Sequence, residues 1–136
     1  MLISLDTNVW IFGIFGSDPY CEKILLNLFQ FNIVVPNQIR LELEHNLSDK
    51  NLKKFYYFAD LFEVSLNYER VPESFITRFE SQGLKKGDAI TIIGGFSHWQ
   101  KIDVFVSDNR DFLRGLAPGH YFKVMSPQEF CQDFNL

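Results

Sequence analysis

Five short apolar runs alternate with stretches that carry helix signals, and this alternation limits the folds open to the chain. The runs are MLISL (1–5), FNIVVP (31–36), FEVSL (62–66), IDVFVS (102–107) and residues 122–126. Each is short and bounded by polar or turn residues, so each reads as a strand. The stretches between them have helix end signals. Asp18 followed by Pro19 is an N-cap with a first-turn proline, and opens a helix to about Gln30. Residues 37–48 and 50–61 read as two more helices. Pro72 and Gly83 bracket another over 72–82, GLKKG reads as a loop, and Asp88 opens a helix through about Gln100. A short helix follows Asp108, and Ser126, Pro127 and Glu129 form a capping box that starts a last one. Strands alternating with helices predict an α/β fold: a mostly parallel sheet of about five strands between two helical layers. In such sheets ligands bind outside the carboxyl ends of the strands.

The 136 residues fit one domain spanning 1–136, and 46% hydrophobic residues with fifteen Phe supply a packed core. Cys21 and Cys131 have no CxxC partner and read as free core thiols of a reducing compartment. The opening stretch has no basic leader, and no apolar run approaches the ~18 residues of a membrane span. The expectation is therefore a cytoplasmic protein. Seventeen acids against thirteen Lys and Arg give a net charge of −4. That argues against non-specific binding driven by phosphate neutralisation. It leaves room for a nucleic-acid enzyme whose carboxylates are neutralised by a bound divalent cation.

ISLDTNVWIF (3–12) sets Asp6 in an apolar context. Burying an unpaired carboxylate is costly, but directly after a first strand Asp6 can stand at the mouth of the sheet. Asp108 follows the strand 102–107, Asp88 opens a helix, and Glu42 lies on the helix 37–48. Each has an ordinary use: turn closure for Asp6, N-cap for Asp88, solvated helix surface for Glu42, an Asx turn for Asp108. As a set they could converge. Mg²⁺ takes oxygen ligands and keeps several waters, so one or two direct carboxylates suffice. Such an ion can activate a water and offset the charge of a phosphodiester transition state. His45, His98 and His120 show no metal-ligand spacing and read as non-catalytic. Gly94-Gly95 inside a helix reads as close packing rather than chemistry.

Four stretches, in order, carry a family resemblance: LDTNVW after the first strand, VPNQIRLEL, KKGDAITIIGGF and DVFVSDNRDF. The chain resembles the PIN-domain family, in particular VapC-type toxin ribonucleases of bacterial toxin–antitoxin pairs. The resemblance implies a PIN-like fold and a Mg²⁺- or Mn²⁺-dependent endoribonuclease. Asp6, Glu42, Asp88 and Asp108 would be its catalytic acids, with Asp6, Asp88 and Asp108 as metal ligands. It also implies an RNA substrate and a small antitoxin partner, and leaves a homodimer open.

Two positions stay ambiguous. Glu42 and Glu44 lie on opposite borders of the helix face defined by Ile39, Leu43 and Leu47, so periodicity cannot choose between them; the Glu-Leu match with the family selects Glu42. The fourth motif departs from the family's Thr-x-Asp, reading Ser107-Asp108-Asn109 with Asp111 beyond. Asp108 is favoured, with Asn109 and Asp111 as alternates. Thr7, Asn8, Lys85, Lys86, Ser107 and Arg110 are candidate RNA contacts, and Arg114 flanks the same region. The irregular fourth motif supports an alternative reading, a catalytically impaired PIN-like binding or scaffold module. A response-regulator-like signalling domain is a weaker alternative, since Asp6 stands alone after its strand and Lys123 falls inside one.

Overall fold

The computed structural model describes residues 1–80, 89–115 and 122–136. Five strands form one sheet: β1 (Leu2–Leu5), β2 (Asn32–Val35), β3 (Ser65–Leu66), β4 (Val104–Val106) and β5 (Lys123–Met125), in the order β3-β2-β1-β4-β5. Every pairing is parallel. Ile3 sits opposite both Ile33 and Val104, and Leu5 opposite Val106. The strands are apolar because both faces are covered. Ile3, Leu5, Ile33 and Val35 enter the larger core cluster, while Leu2 and Val34 enter a second one. Side chains alternate across a strand, so the two clusters lie on opposite faces.

The larger cluster takes residues from α1 (Thr7–Phe15), α2 (Pro19–Leu26), α3 (Asn37–Asn46), α4 (Asp49–Leu61) and α8 (Pro127–Asp133). The second is closed by α5 (Glu73–Glu80) and α6 (Ala89–Trp99), and α7 (Arg110–Gly115) links β4 to β5. The three-layer α/β/α arrangement with a parallel sheet is the one the alternating pattern predicts. No helix among the described residues is long and apolar enough to cross a membrane.

Local chemistry explains most boundaries. Asp18 Oδ1 accepts from the backbone N–H groups of Tyr20 and Cys21, with Pro19 as the first helical residue. Ser126 caps α8, accepting from the Glu129 N–H at 3.1 Å. Gly95 is where α6 meets α5: a Cβ there would lie 3.3 Å from the Phe75 carbonyl oxygen. Cys21 and Cys131 are buried free thiols.

Three expectations change. The helix expected to reach Gln30 ends at Leu26, and a 3₁₀ turn covers Leu28–Gln30. Asn27 makes the break, since its side-chain amide takes the Lys23 carbonyl at 2.7 Å. The strand expected over 62–66 keeps only Ser65 and Leu66. Phe62 still bonds back to Phe58 at the end of α4, and Glu63 has a positive φ of 54° that breaks the chain direction. The third is α1, which no period in the sequence announces. Its residues are apolar nearly all round, and it is packed between α2, α3 and α4.

Candidate active site

The sheet order changes direction at β1. The chain moves outward from it through β2 and β3 on one side, and returns to pair β4 and then β5 on the other. The crevice between the carboxyl ends of β1 and β4 is the topological switch point, where open parallel sheets bind ligands. Asp6 occupies it. Its backbone N–H donates to the Val106 carbonyl at 2.8 Å, which continues the β1–β4 pairing by one residue. Its extended backbone (φ −64°, ψ 158°) then turns into α1.

Asp6 is 6% exposed. Oδ1 accepts from the Thr7 N–H at 2.8 Å and so caps α1, and Oδ2 accepts from the Ser107 hydroxyl at 2.7 Å. A carboxylate offers about four acceptor positions, so these two bonds leave room for further partners. Burial pushes the acid above its ordinary value; the Ser107 and Thr7 hydrogen bonds work against that shift, and the negative charge of Glu42 adds to it.

Glu42 reaches the same place from α3. The Thr7 hydroxyl donates to Glu42 Oε2, and Gln38 Nε2 donates to Oε1 at 3.3 Å. Thr7 therefore serves both acids, Asp6 through its N–H and Glu42 through its hydroxyl. Glu44 points elsewhere: it accepts from the Tyr56 hydroxyl at 2.6 Å and pairs with Arg40 at 3.0 Å. The Tyr56 bond first, and then Arg40, hold its carboxyl below the usual range. The α3 period leaves the two glutamates equivalent; the Thr7 hydroxyl of α1 and the Tyr56 hydroxyl of α4 separate them.

The fourth motif divides. Ser107 is fully buried, donates to Asp6 and accepts from the Asn109 N–H at 3.0 Å. Asn109 is thus joined to Asp6 through one hydroxyl, and its own Oδ1 accepts from the Asp111 N–H at 2.9 Å to start α7. Asp108 is exposed and close enough to Cys21 of α2 for its charge to act there. Burial first, then Asp18, with a smaller push from Asp108, drives that thiol up to about 12. Asp111 is exposed in the first turn of α7, which Phe112 anchors with its ring 5.0 Å from that of Phe105. Asn8 is exposed in the first turn of α1. Asp88, Lys85 and Lys86 lie outside the described residues, as do the side chains of Arg110 and Arg114.

Asp6 and Glu42 are the two candidate acids that the described residues bring together. Among those residues no group of three or more His, Cys, Asp or Glu is placed to hold a metal ion. The pair still suits a hard divalent cation, because Mg²⁺ needs only one or two carboxylates beside its waters. A cation there would offset both influences that push Asp6 upward, its burial and its neighbour's charge. Sequence reasoning missed Gln38, whose only signal was its i,i+4 spacing from Glu42. It also assigned Thr7 and Ser107 to RNA or turns, whereas their hydroxyls are spent on the two acids.

No family model matches the chain, and no curated protein matches it. Among solved structures, it is similar to a chain in the crystal structure of VapBC2 from Rickettsia felis bound to a DNA fragment from their promoter. The TM-score is 0.63 at 19% sequence identity, over 93% of this chain and 98% of that one. The likeness is one of fold, and it spans nearly the whole of both chains.

Proposed function

We propose that the chain is a divalent-metal-dependent endoribonuclease of the PIN type, acting as the toxin of a toxin–antitoxin pair. The observation that carries this reading is the convergence of Asp6 and Glu42, bridged by Thr7, at the switch point of a parallel sheet. The fold likeness to a VapBC2 chain supports the toxin assignment and, with it, a small antitoxin protein as partner.

Asp6, Asp88 and Asp108 would hold Mg²⁺ or Mn²⁺, and Glu42 would complete the acidic shell directly or through water. When bound, the ion supplies an acidified water and offsets charge on the phosphodiester. The chain's own groups orient the acids. The Ser107 hydroxyl donates to Asp6 Oδ2 and the Thr7 hydroxyl donates to Glu42 Oε2, so each carboxylate is held in its orientation. Asn109, held to Ser107, is the alternate at the fourth position.

RNA cleavage in Mn²⁺, with and without EDTA, beside Asp6→Asn tests the reading. Cleavage that is lost in both controls supports it; cleavage that survives EDTA and Asp6→Asn rejects it. One observation favours a second reading, a binding module without activity: the neutral Asn109 is the fourth-motif residue joined to Asp6, through the Ser107 hydroxyl, and Asp108 is exposed. Metal binding with no cleavage of any RNA would select that module.

A further inference from the structure

A second feature lies one side chain away from Glu42. Gln38 donates to Glu42 and also lines a pocket of about 400 Å³ at the same end of the sheet. That volume falls within the range of small-ligand sites, roughly 300–1,000 Å³. Val71, Ile92 and Phe96 make an apolar floor, and Val71 and Phe96 are themselves fixed in the second core cluster. Tyr68, in the connection between β3 and α5, forms one wall and is 61% exposed. The Arg40 guanidinium lies over its ring, 4.6 Å from the centroid. Tyr68 lines the pocket and Arg40 does not.

The charges choose among occupants. Among the described residues Glu69 and Glu73 line the pocket with Arg70, a net negative set that disfavours a phosphate. An exposed aromatic ring beside apolar side chains suits a flat, uncharged ring, and bases of unpaired RNA stack on aromatic side chains. The Gln38 amide has its NH₂ on Glu42, which leaves its Oε1 as an acceptor, and Glu69 and Glu73 bring carboxylates to the same lining. Acceptors suit a ring that carries an amino group.

We infer that this pocket is a base-recognition subsite: it takes one nucleobase with an exocyclic amino group from the nucleotide next to the phosphate held at Asp6 and Glu42. Tyr68 stacks on the base and Gln38 couples the subsite to the acids. The inference rests on the ribonuclease reading for the neighbouring phosphate, while the pocket's affinity for a base can be measured without any cleavage.

The test has two arms. In the first, the full chain in metal-free buffer is titrated with adenosine, cytidine or uridine at millimolar concentration and followed by amide NMR. Adenosine and cytidine shift the signals of Tyr68, Val71 and Ile92 more than uridine does. Tyr68→Ala weakens binding by about tenfold, in line with the loss of one stacked base; Tyr68→Phe keeps it, and Asp6→Asn leaves it unchanged. In the second, RNA of random sequence is cleaved by wild type and Tyr68→Ala. Wild type shows a preference against uracil at one position beside the cut, and Tyr68→Ala erases it. Because Tyr68 is exposed, an unchanged melting temperature confirms that the variant is folded. If wild type cleaves no RNA, the ribonuclease reading fails and the nucleoside titration alone decides the pocket. Shifts absent from the pocket, or equal for uridine and cytidine, overturn the inference. Shifts there produced by a co-purified antitoxin but by no nucleoside also overturn it, and reassign the pocket to protein.

Discussion

The Ser107 hydroxyl donates to Asp6 Oδ2 at 2.7 Å, joining two residues 101 positions apart at the ends of neighbouring parallel strands. Ser107 is fully buried and also accepts the Asn109 N–H. Ser107→Ala leaves the buried Asp6 Oδ2 and the part-buried Asn109 N–H without that partner, so it should cost about 1–3 kcal/mol of stability. It also removes an interaction that holds the Asp6 pKa down, so Asp6 should titrate at still higher pH. Urea unfolding and a carboxyl-detected NMR titration check the two outcomes; an unchanged Asp6 titration would show that the bond does not form in solution.

Asp6 should make stability depend on pH in a direction opposite to that of a salt-bridged carboxylate. Its folded pKa lies above the ordinary 3.8, so the folded state binds the proton more tightly than the unfolded chain. The favourable contribution is complete below 3.8 and disappears as pH rises through the folded value. Asp6→Asn, which cannot ionise, should therefore melt higher than wild type in metal-free buffer at neutral pH. The gap should narrow as pH falls toward 3.8. Paired melting curves across pH measure it, and a gap that widens on acidification would contradict the sign.

Glu42 and Glu44 should separate cleanly. Glu42→Gln alters a group bonded to Thr7 and Gln38 beside Asp6, and under the ribonuclease reading should reduce cleavage by roughly a hundredfold or more. Glu44→Gln disturbs exposed bonds to Tyr56 and Arg40 and should leave cleavage intact. Equal losses in the two variants would remove Glu42 from the site.

The fourth motif can be decided by comparing Asp108→Asn, Asn109→Ala and Asp111→Asn for cleavage in saturating Mn²⁺ and for thermal melting. Asp108→Asn should abolish cleavage at little cost in stability. Asp111→Asn should leave the rate almost unchanged and cost at most about 1 kcal/mol, as an acid in a helix's first turn does. An inactive Asn109→Ala beside an active Asp108→Asn would move the position to Asn109.

Gly13 should be intolerant of even one methyl group. A Cβ there would lie 2.4 Å from Leu25 Cδ1 and 3.0 Å from the Cys21 carbonyl oxygen, where α1 crosses α2. Gly13→Ala should destabilise the protein by about 1–3 kcal/mol through overpacking. Denaturant melts that match wild type would show that Leu25 can give way.

Strands and capped helices were legible because local chemistry marks them: Asp18-Pro19, Pro36 after a β-branched run, and Ser126-Pro127. Helix α1 was not, since a segment apolar nearly all round has no polar face to set a period. In the site, Asp6 was legible as an acid directly after a strand, but its capping of α1 was hidden with that helix. Glu42 and Glu44 looked alike because a helix period reports the buried face and says nothing of which neighbour covers each flank. The hydroxyls of Thr7 and Ser107 could not be read as holders of the two acids, because both bonds join elements distant in the chain.

The β1–β4 pairing has a consequence for synthesis. Chains emerge from the ribosome amino end first, so Asp6 is made 101 residues ahead of Ser107. Until β4 has been made and has docked beside β1, Asp6 lacks both the Val106 carbonyl and the Ser107 hydroxyl that fix it. A truncated product ending before β4 carries the first acid and the helix with Glu42, yet has no crevice to place them in. The site is therefore completed only when β4 docks beside β1, whatever the acids on α1 and α3 have already made between themselves.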